Sequence, residues 1–156
     1  MKPVLHEGEK HLKALSIHPF YAMAIATGEK TVEVRSWNTK YRGPLVICST
    51  NKRVKGMVPG CALCTVELID VVPLKPEHLE DAMMDVFDFR NGLYAWILDD
   101  NRLIKPIPVK GKLSLWEFGK ESEIEYIPDS EWVAAPEYEN TNIDWAEKYW
   151  GPYMIR

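Results

Sequence analysis

Long apolar runs are missing from this sequence: no stretch approaches the ~18 uninterrupted apolar residues that a bilayer-spanning helix needs. The run from Met1 to Lys10 lacks the apolar core of a secretory signal, so the cytoplasm is the expected compartment. Cysteine is scarce. Cys48, Cys61 and Cys64 are an odd number and too few for a disulfide framework. Cys61 and Cys64 have C-x-x-C spacing, but a structural zinc site wants four ligands, and no second C-x-x-C or H-x-x-x-H pair accompanies them. They open a largely apolar run that reads as a strand, where side chains three apart point to opposite faces. Packed thiols are therefore expected, with no metal and no cofactor. There is no G-x-x-x-x-G-K-[ST] phosphate loop, no G-x-S-x-G elbow, no Ser-His-Asp order, no internal repeat and no low-complexity segment.

What is present suits a soluble globular domain. The chain has 156 residues, 46% apolar and 27% charged, enough for one domain with a real core. The net charge of −4 argues at first against nucleic acid, but its distribution does not. From Lys30 to Lys55 seven bases (Lys30, Arg35, Lys40, Arg42, Lys52, Arg53, Lys55) face one acid, Glu33, for a net +6. From Glu117 to Glu147 ten acids face one base, Lys120, for a net −9. Such asymmetry inside one domain is a partner signal as well as a solvated surface.

Along the chain, Lys13 to Ile17 alternates weakly as a first strand. His18 and Pro19 open a helix, with proline at the first helical position and His18 as its cap rather than a base. Phe20, Met23, Ala24 and Thr27 follow at helical spacing, and Gly28 stands where a left-handed cap is wanted. In Thr31 to Arg35, Val32 and Val34 share one face of a strand, while Thr31, Glu33 and Arg35 share the other; Trp37 continues that face. Leu45 to Thr50 and Cys61 to Val72 read as strands, separated by a basic loop ending in Pro-Gly. Pro76 to Phe89 reads as a helix carrying Leu79, Met83, Met84 and Phe87. Leu93 to Leu98 and Leu103 to Val109 read as a hairpin turning at Asp99–Asn101, with Pro106 and Pro108 confining the second strand to an edge or bulge. Leu113 to Phe118 is the last strand, and Asn142 to Trp150 reads as a terminal helix. Short strands in antiparallel-looking runs, with few helices, predict a small mostly-β barrel of about six strands flanked by two or more helices.

The segment from Leu15 to Phe20, the run Gly28-Glu29-Lys30-Thr31-Val32-Glu33-Val34-Arg35-Ser36-Trp37, and Tyr41 to Ile47 resemble the ASCH family of the PUA-like superfamily. The hallmark G-x-K-x-x-E-x-R is matched at Gly28, Lys30, Glu33 and Arg35. Arg42-Gly43 before a strand, Gly60-Cys61 before the next, and Pro106 to Phe118 as a closing hairpin agree with it. The resemblance covers about residues 13 to 118. The chain then divides into a flank, residues 1–12; the ASCH domain, residues 13–119; and, outside the resemblance, an acidic extension, residues 120–156, whose aromatic content predicts that it packs on the barrel. The resemblance implies a PUA-like barrel with the motif lining a cleft between the first helix and the barrel.

Two kinds of function are then expected. The first is binding of RNA or a nucleotide, in RNA metabolism or translation-linked regulation. Lys30 and Arg35 would supply phosphate donors, and Arg can do so bidentately. Trp37 would stack a base, and Lys40, Arg42, Lys52, Arg53 and Lys55 would extend the basic surface. Glu33 would hold the two bases in place. The second is hydrolysis. The resemblance includes small amidohydrolases that deacetylate acetylcytidine with a Lys, a Thr nucleophile and a distant Glu. The Lys matches Lys30, but the Thr position is Glu33 here, and Thr31, one position after Lys30, faces elsewhere relative to that Lys. The distant acid is open among Glu77, Glu80, Asp81 and Asp85. For RNA cleavage, Lys30 and Glu33 would be the acid and base. No membrane partner is expected, and the oligomeric state is left open.

Overall fold

The structure is a computed structural model that describes residues 10–133 and 144–156. Residues 1–9 of the expected flank, and the start of the expected terminal helix, lie outside the described residues. Six strands form one sheet: β1 (His11–Ile17), β2 (Val32–Arg35), β3 (Gly43–Ser49), β4 (Cys61–Pro73), β5 (Tyr94–Pro108) and β6 (Trp116–Lys120). Their order is β2-β5-β4-β3-β1-β6. Among the described residues only β1 and β3 run parallel; every other strand pairing is antiparallel. The two edge strands, β2 and β6, do not pair with each other among the described residues, so the sheet curls into a barrel-like shape without hydrogen-bonded closure. Register shifts supply the curl. They fall at Leu12/Lys13, Ile47/Cys48 and three places along β4, and each bulge bends its strand and increases its twist.

Helix α1 (Pro19–Thr27) packs against β1, β3, β4 and β5. Its buried face is made of Ala22, Ile25 and Ala26, small enough to sit close to the sheet, and joins the main core with Leu15, Leu45, Ile47, Leu63, Leu68 and Trp96. His18 caps the helix as expected, its Nδ1 accepting from the Phe20 amide at 3.1 Å. Gly28 ends it at φ +87°, the left-handed conformation that favours glycine.

Three elements differ from the sequence reading. Residues 76–89 do not form a helix; only two 3₁₀ turns occur, Pro76–His78 and Val86–Asp88. A continuous helix would commit the carbonyls of Asp81 and Ala82 to the amides four residues on. Here the Asp81 carbonyl accepts from the amides of Thr31 and Val32, and the Ala82 carbonyl accepts from the Lys30 ammonium. Met83 breaks the turn at φ +53°, and Asp85 accepts from the Phe87 amide, an alternative to helical bonding. Next, the expected hairpin at Asp99–Asn101 is one continuous strand, β5, whose two halves both pair with β4. The turn residues are absorbed there with Asp100 at φ +50°, opposite the register shift between Thr65 and Glu67. Its proline-bearing half extends beyond short β2 and is bridged there at Ile104 by Tyr126; Pro106 and Pro108 lie past that bridge. Finally, the described part of the expected terminal helix is a single wide turn, Ala146–Trp150, followed by a 3₁₀ turn, Gly151–Tyr153.

The cysteines are free and buried. The shift between Ala62 and Cys64 places both Cys61 and Cys64 in the main core cluster, not on opposite faces. Burial pushes the Cys61 thiol up to about 11 and Cys48 up to about 12, and raises Cys64 further, as packed thiols require.

Candidate nucleotide-binding cleft

Lys30 is placed by the helix end. After the glycine cap its amide returns to the Ala24 carbonyl at 3.1 Å, which folds the side chain inward. Strand β2 then pairs with β5, Glu33 opposite Trp96, and aims Glu33 and Arg35 at the same space. Lys30 and Glu33 are only 3% and 6% exposed. The Glu33 carboxylate is central: one oxygen lies 3.5 Å from the Lys30 Nζ, the other 3.3 Å from the Arg35 Nε. Arg35 also donates from Nη2 to the Ser16 carbonyl at 3.1 Å. The Lys30 ammonium donates to the Ala82 carbonyl and sits 4.9 Å from the centre of the Tyr21 ring. Its pKa is lowered from the ordinary value, chiefly by burial; Glu33 opposes that shift and Arg35 adds to it.

These groups face a cavity of about 960 Å³. Ser16, His18 and Tyr21 form one side, Trp37 another, and the 82–90 segment overhangs it with Asp85, Phe87, Asp88 and Arg90. Trp37 meets Trp96 edge-on, with centroids 4.7 Å apart, and its carbonyl accepts from the Trp96 indole. Phe87 is 92% exposed at the tip of its turn. The volume lies at the upper end of ligand pockets. The floor carries two cations and one carboxylate, and the rim adds two acids and one base. The site therefore combines charges of both signs with aromatic and apolar walls and is not uniformly cationic.

The structure thus brings Lys30, Glu33, Arg35 and Trp37 to one cavity. It does not bring Lys40, Arg42, Lys52, Arg53 or Lys55 there. The Arg42 guanidinium is committed to its own turn, donating to the carbonyls of Thr39 and Tyr41 at 2.8 Å, with Asp70 3.4 Å away. Lys40 is exposed away from the cavity, and Lys52, Arg53 and Lys55 are exposed on the β3–β4 loop, whose first residue, Thr50, lines the cavity. Of the four candidate distant acids, Asp85 alone reaches the cavity, and Thr31 points to a separate small crevice beside Gly28 and Asn101. The sequence reading missed Tyr21 and the overhanging rim. The signal for the rim was Asp85-Val86-Phe87, an Asx-type turn that helical periodicity masked.

A curled mostly-β sheet with a helix at its mouth and a Lys-Glu-Arg floor defines a PUA-like domain. The sequence model of the ASCH domain matches residues 15–139, and the chain belongs to that family. Activating signal cointegrator 1 from Mus musculus is 27% identical over 127 aligned residues, covering 66% of this chain and 22% of the relative; the Homo sapiens protein is 26% identical over the same shares. The chain thus spans about a fifth of the length of these curated relatives. The crystal structure of ASCH from Zymomonas mobilis superposes with a TM-score of 0.57 at 21% identity, over 72% of this chain and 90% of that one. A single-residue mutant of the same protein gives 0.57 at 19%, over 74% and 94%. At these identities the likeness concerns the fold.

Proposed function

We propose that the cleft binds a nucleotide unit of RNA and that the protein acts in RNA metabolism or translation-linked regulation in the cytoplasm, without a metal or cofactor. The observation that carries this reading is the Lys30–Glu33–Arg35 triad, Lys30 and Glu33 buried and Arg35 partly exposed, at the floor of a nucleotide-sized cavity walled by Tyr21, Trp37 and Phe87. Glu33 uses its charge on the two bases, which leaves the triad with one net positive charge. Arg35, a quarter exposed along its side chain, keeps donors for a phosphate oxygen. The aromatic walls provide faces for a base. Among the described residues no helix is long and apolar enough to cross a membrane. Calorimetric titration with nucleoside monophosphates and with a short single-stranded RNA tests the reading. Wild-type protein should bind, and Arg35→Ala should lose roughly tenfold or more, the scale of a hydrogen bond to a charged group. Wild-type protein that binds neither ligand would refute it.

A second reading, hydrolysis of a nucleoside amide such as acetylcytidine or of RNA, is favoured by one observation. Lys30 has a lowered pKa and lies beside a carboxylate, which is the arrangement of a proton-transfer pair, with Asp85 in the same cavity. Chromatography of acetylcytidine or labelled RNA after incubation, with Lys30→Met as control, decides it.

A further inference from the structure

The sheet order places two loops at one end of the barrel. The β3–β4 loop, residues 50–60, joins strands that are neighbours there. The β5–β6 loop, residues 109–115, must reach from one strand to another across the ends of β4, β3 and β1. On a flat sheet that distance is about 19 Å, at about 4.8 Å per strand. Seven extended residues reach about 23–25 Å, so a loop of this length can cross the sheet end, and the curl of the sheet shortens the span. The hydrogen bonds agree. The Thr50 amide donates to the Ile17 carbonyl, Gly60 to Thr50 and Val109 to Gly60, each at 2.9 Å, a ladder that stitches both loops to the end of β1. Gly111 lies so close to β1 that an added Cβ would come within 2.6 Å of the Ser16 Oγ. In an extended chain its neighbours point the other way, and Lys110 and Lys112 are both exposed.

Together the two loops carry Lys52, Arg53, Lys55, Lys110 and Lys112 and no acid. The β3–β4 loop is further held by Ile155, whose carbonyl accepts from Gly56 and whose amide donates to Met57. Ser16 and Ile17, on which the loops are seated, and Thr50, the first residue of the β3–β4 loop, are also wall residues of the cleft. We infer that the two loops form one cationic platform continuous with the cleft, and that it holds the phosphates of a single-stranded RNA whose nucleotide occupies the cleft. The ligand is then a strand, not a free nucleotide. This rests on the nucleotide reading of the cleft and adds Lys110 and Lys112 to the footprint.

The test compares one nucleoside monophosphate with a ten-nucleotide single-stranded RNA, and with DNA of the same sequence, across a salt series. The proteins are the wild type and Lys110→Ala/Lys112→Ala. Both lysines are exposed, so the double variant should keep the wild-type melting temperature and monophosphate affinity. Its RNA affinity should fall at low salt, and the slope of log K against log salt should flatten by about 1.4, about 0.7 for each phosphate deprived of its lysine. RNA should bind at least as tightly as DNA. Unchanged RNA affinity and slope in the variant would overturn the platform. So would a wild type that binds the monophosphate but the ten-mer no more tightly, and in either case the cleft reading stands. Marked preference for DNA overturns the assignment to RNA. A wild type that binds nothing overturns platform and cleft together.

Discussion

Lys30 and Glu33 are three residues apart and both buried, yet their removal should have unequal consequences. A buried pair offsets its own desolvation, so replacing one charge is costly when it strands the other. With Lys30→Met, Glu33 still has Arg35 at 3.3 Å, and the change should alter stability by no more than about 1–2 kcal/mol. With Glu33→Gln, Lys30 and Arg35 face each other uncompensated, and the cost should approach about 3–5 kcal/mol. Urea unfolding of the two variants measures the contrast; equal losses would show that the carboxylate is not the centre of the triad. A pH dependence follows from the same burial. The folded-state pKa of Lys30 lies below its ordinary 10.5, so the unfolded chain holds this proton more tightly than the folded one. The charged lysine therefore costs stability in full below that lowered value, and the cost is relieved as pH rises from it toward 10.5. Wild-type protein should gain stability relative to Lys30→Met across that window. A constant difference between them from neutral pH to pH 10.5 would contradict the assignment.

Among the elements, β2 and α1 were legible because local chemistry and the final environment agree. A proline start, a glycine stop and two-residue alternation are sufficient, and the alternation that put Glu33 and Arg35 on one face is what brings them to the cavity. The 76–89 segment was not legible. Its apolar spacing fits a helix, but its carbonyls are claimed by residues some fifty positions earlier, Lys30 among them, and single-sequence periodicity has no access to that competition. The same holds for Cys61 and Cys64, whose shared cluster depends on a bulge. The misread segment carries a prediction of its own. Phe87 is almost fully exposed at its tip, so Phe87→Ala should leave stability within about 0.5 kcal/mol of wild type. If the ring stacks on a bound base, the same change should weaken RNA binding by about 1–3 kcal/mol. Thermal melts and anisotropy titrations check both halves, and an unchanged affinity would remove Phe87 from the site.

At the scale of the whole molecule, the open question is what the acidic carboxy-terminal region does. Tyr138 and the acids at 137 and 139 lie outside the described residues. In the described part, Trp150 is 4% exposed within the main core, and Trp132, Trp145, Tyr149 and Met154 pack against it. Three of its described acids are paired locally: Glu131 with Lys148 and Tyr149, Glu147 with Arg156, Glu125 with Lys105. No described residue after Leu93 lines the cleft cavity. This favours completion of the core over a cover that competes with phosphate, and the two readings predict opposite results. Trp150→Ala should destabilise the fold by about 3–5 kcal/mol, the usual cost of emptying a buried tryptophan site. Deleting residues 144–156 should cost at least as much, because it also removes the Ile155 bonds to Gly56 and Met57 that hold the basic loop. With that loop released, RNA affinity at low salt should fall. A truncated protein that keeps its melting temperature and binds RNA more tightly would instead make the segment an inhibitory cover, and would show that its aromatic packing contributes little to stability.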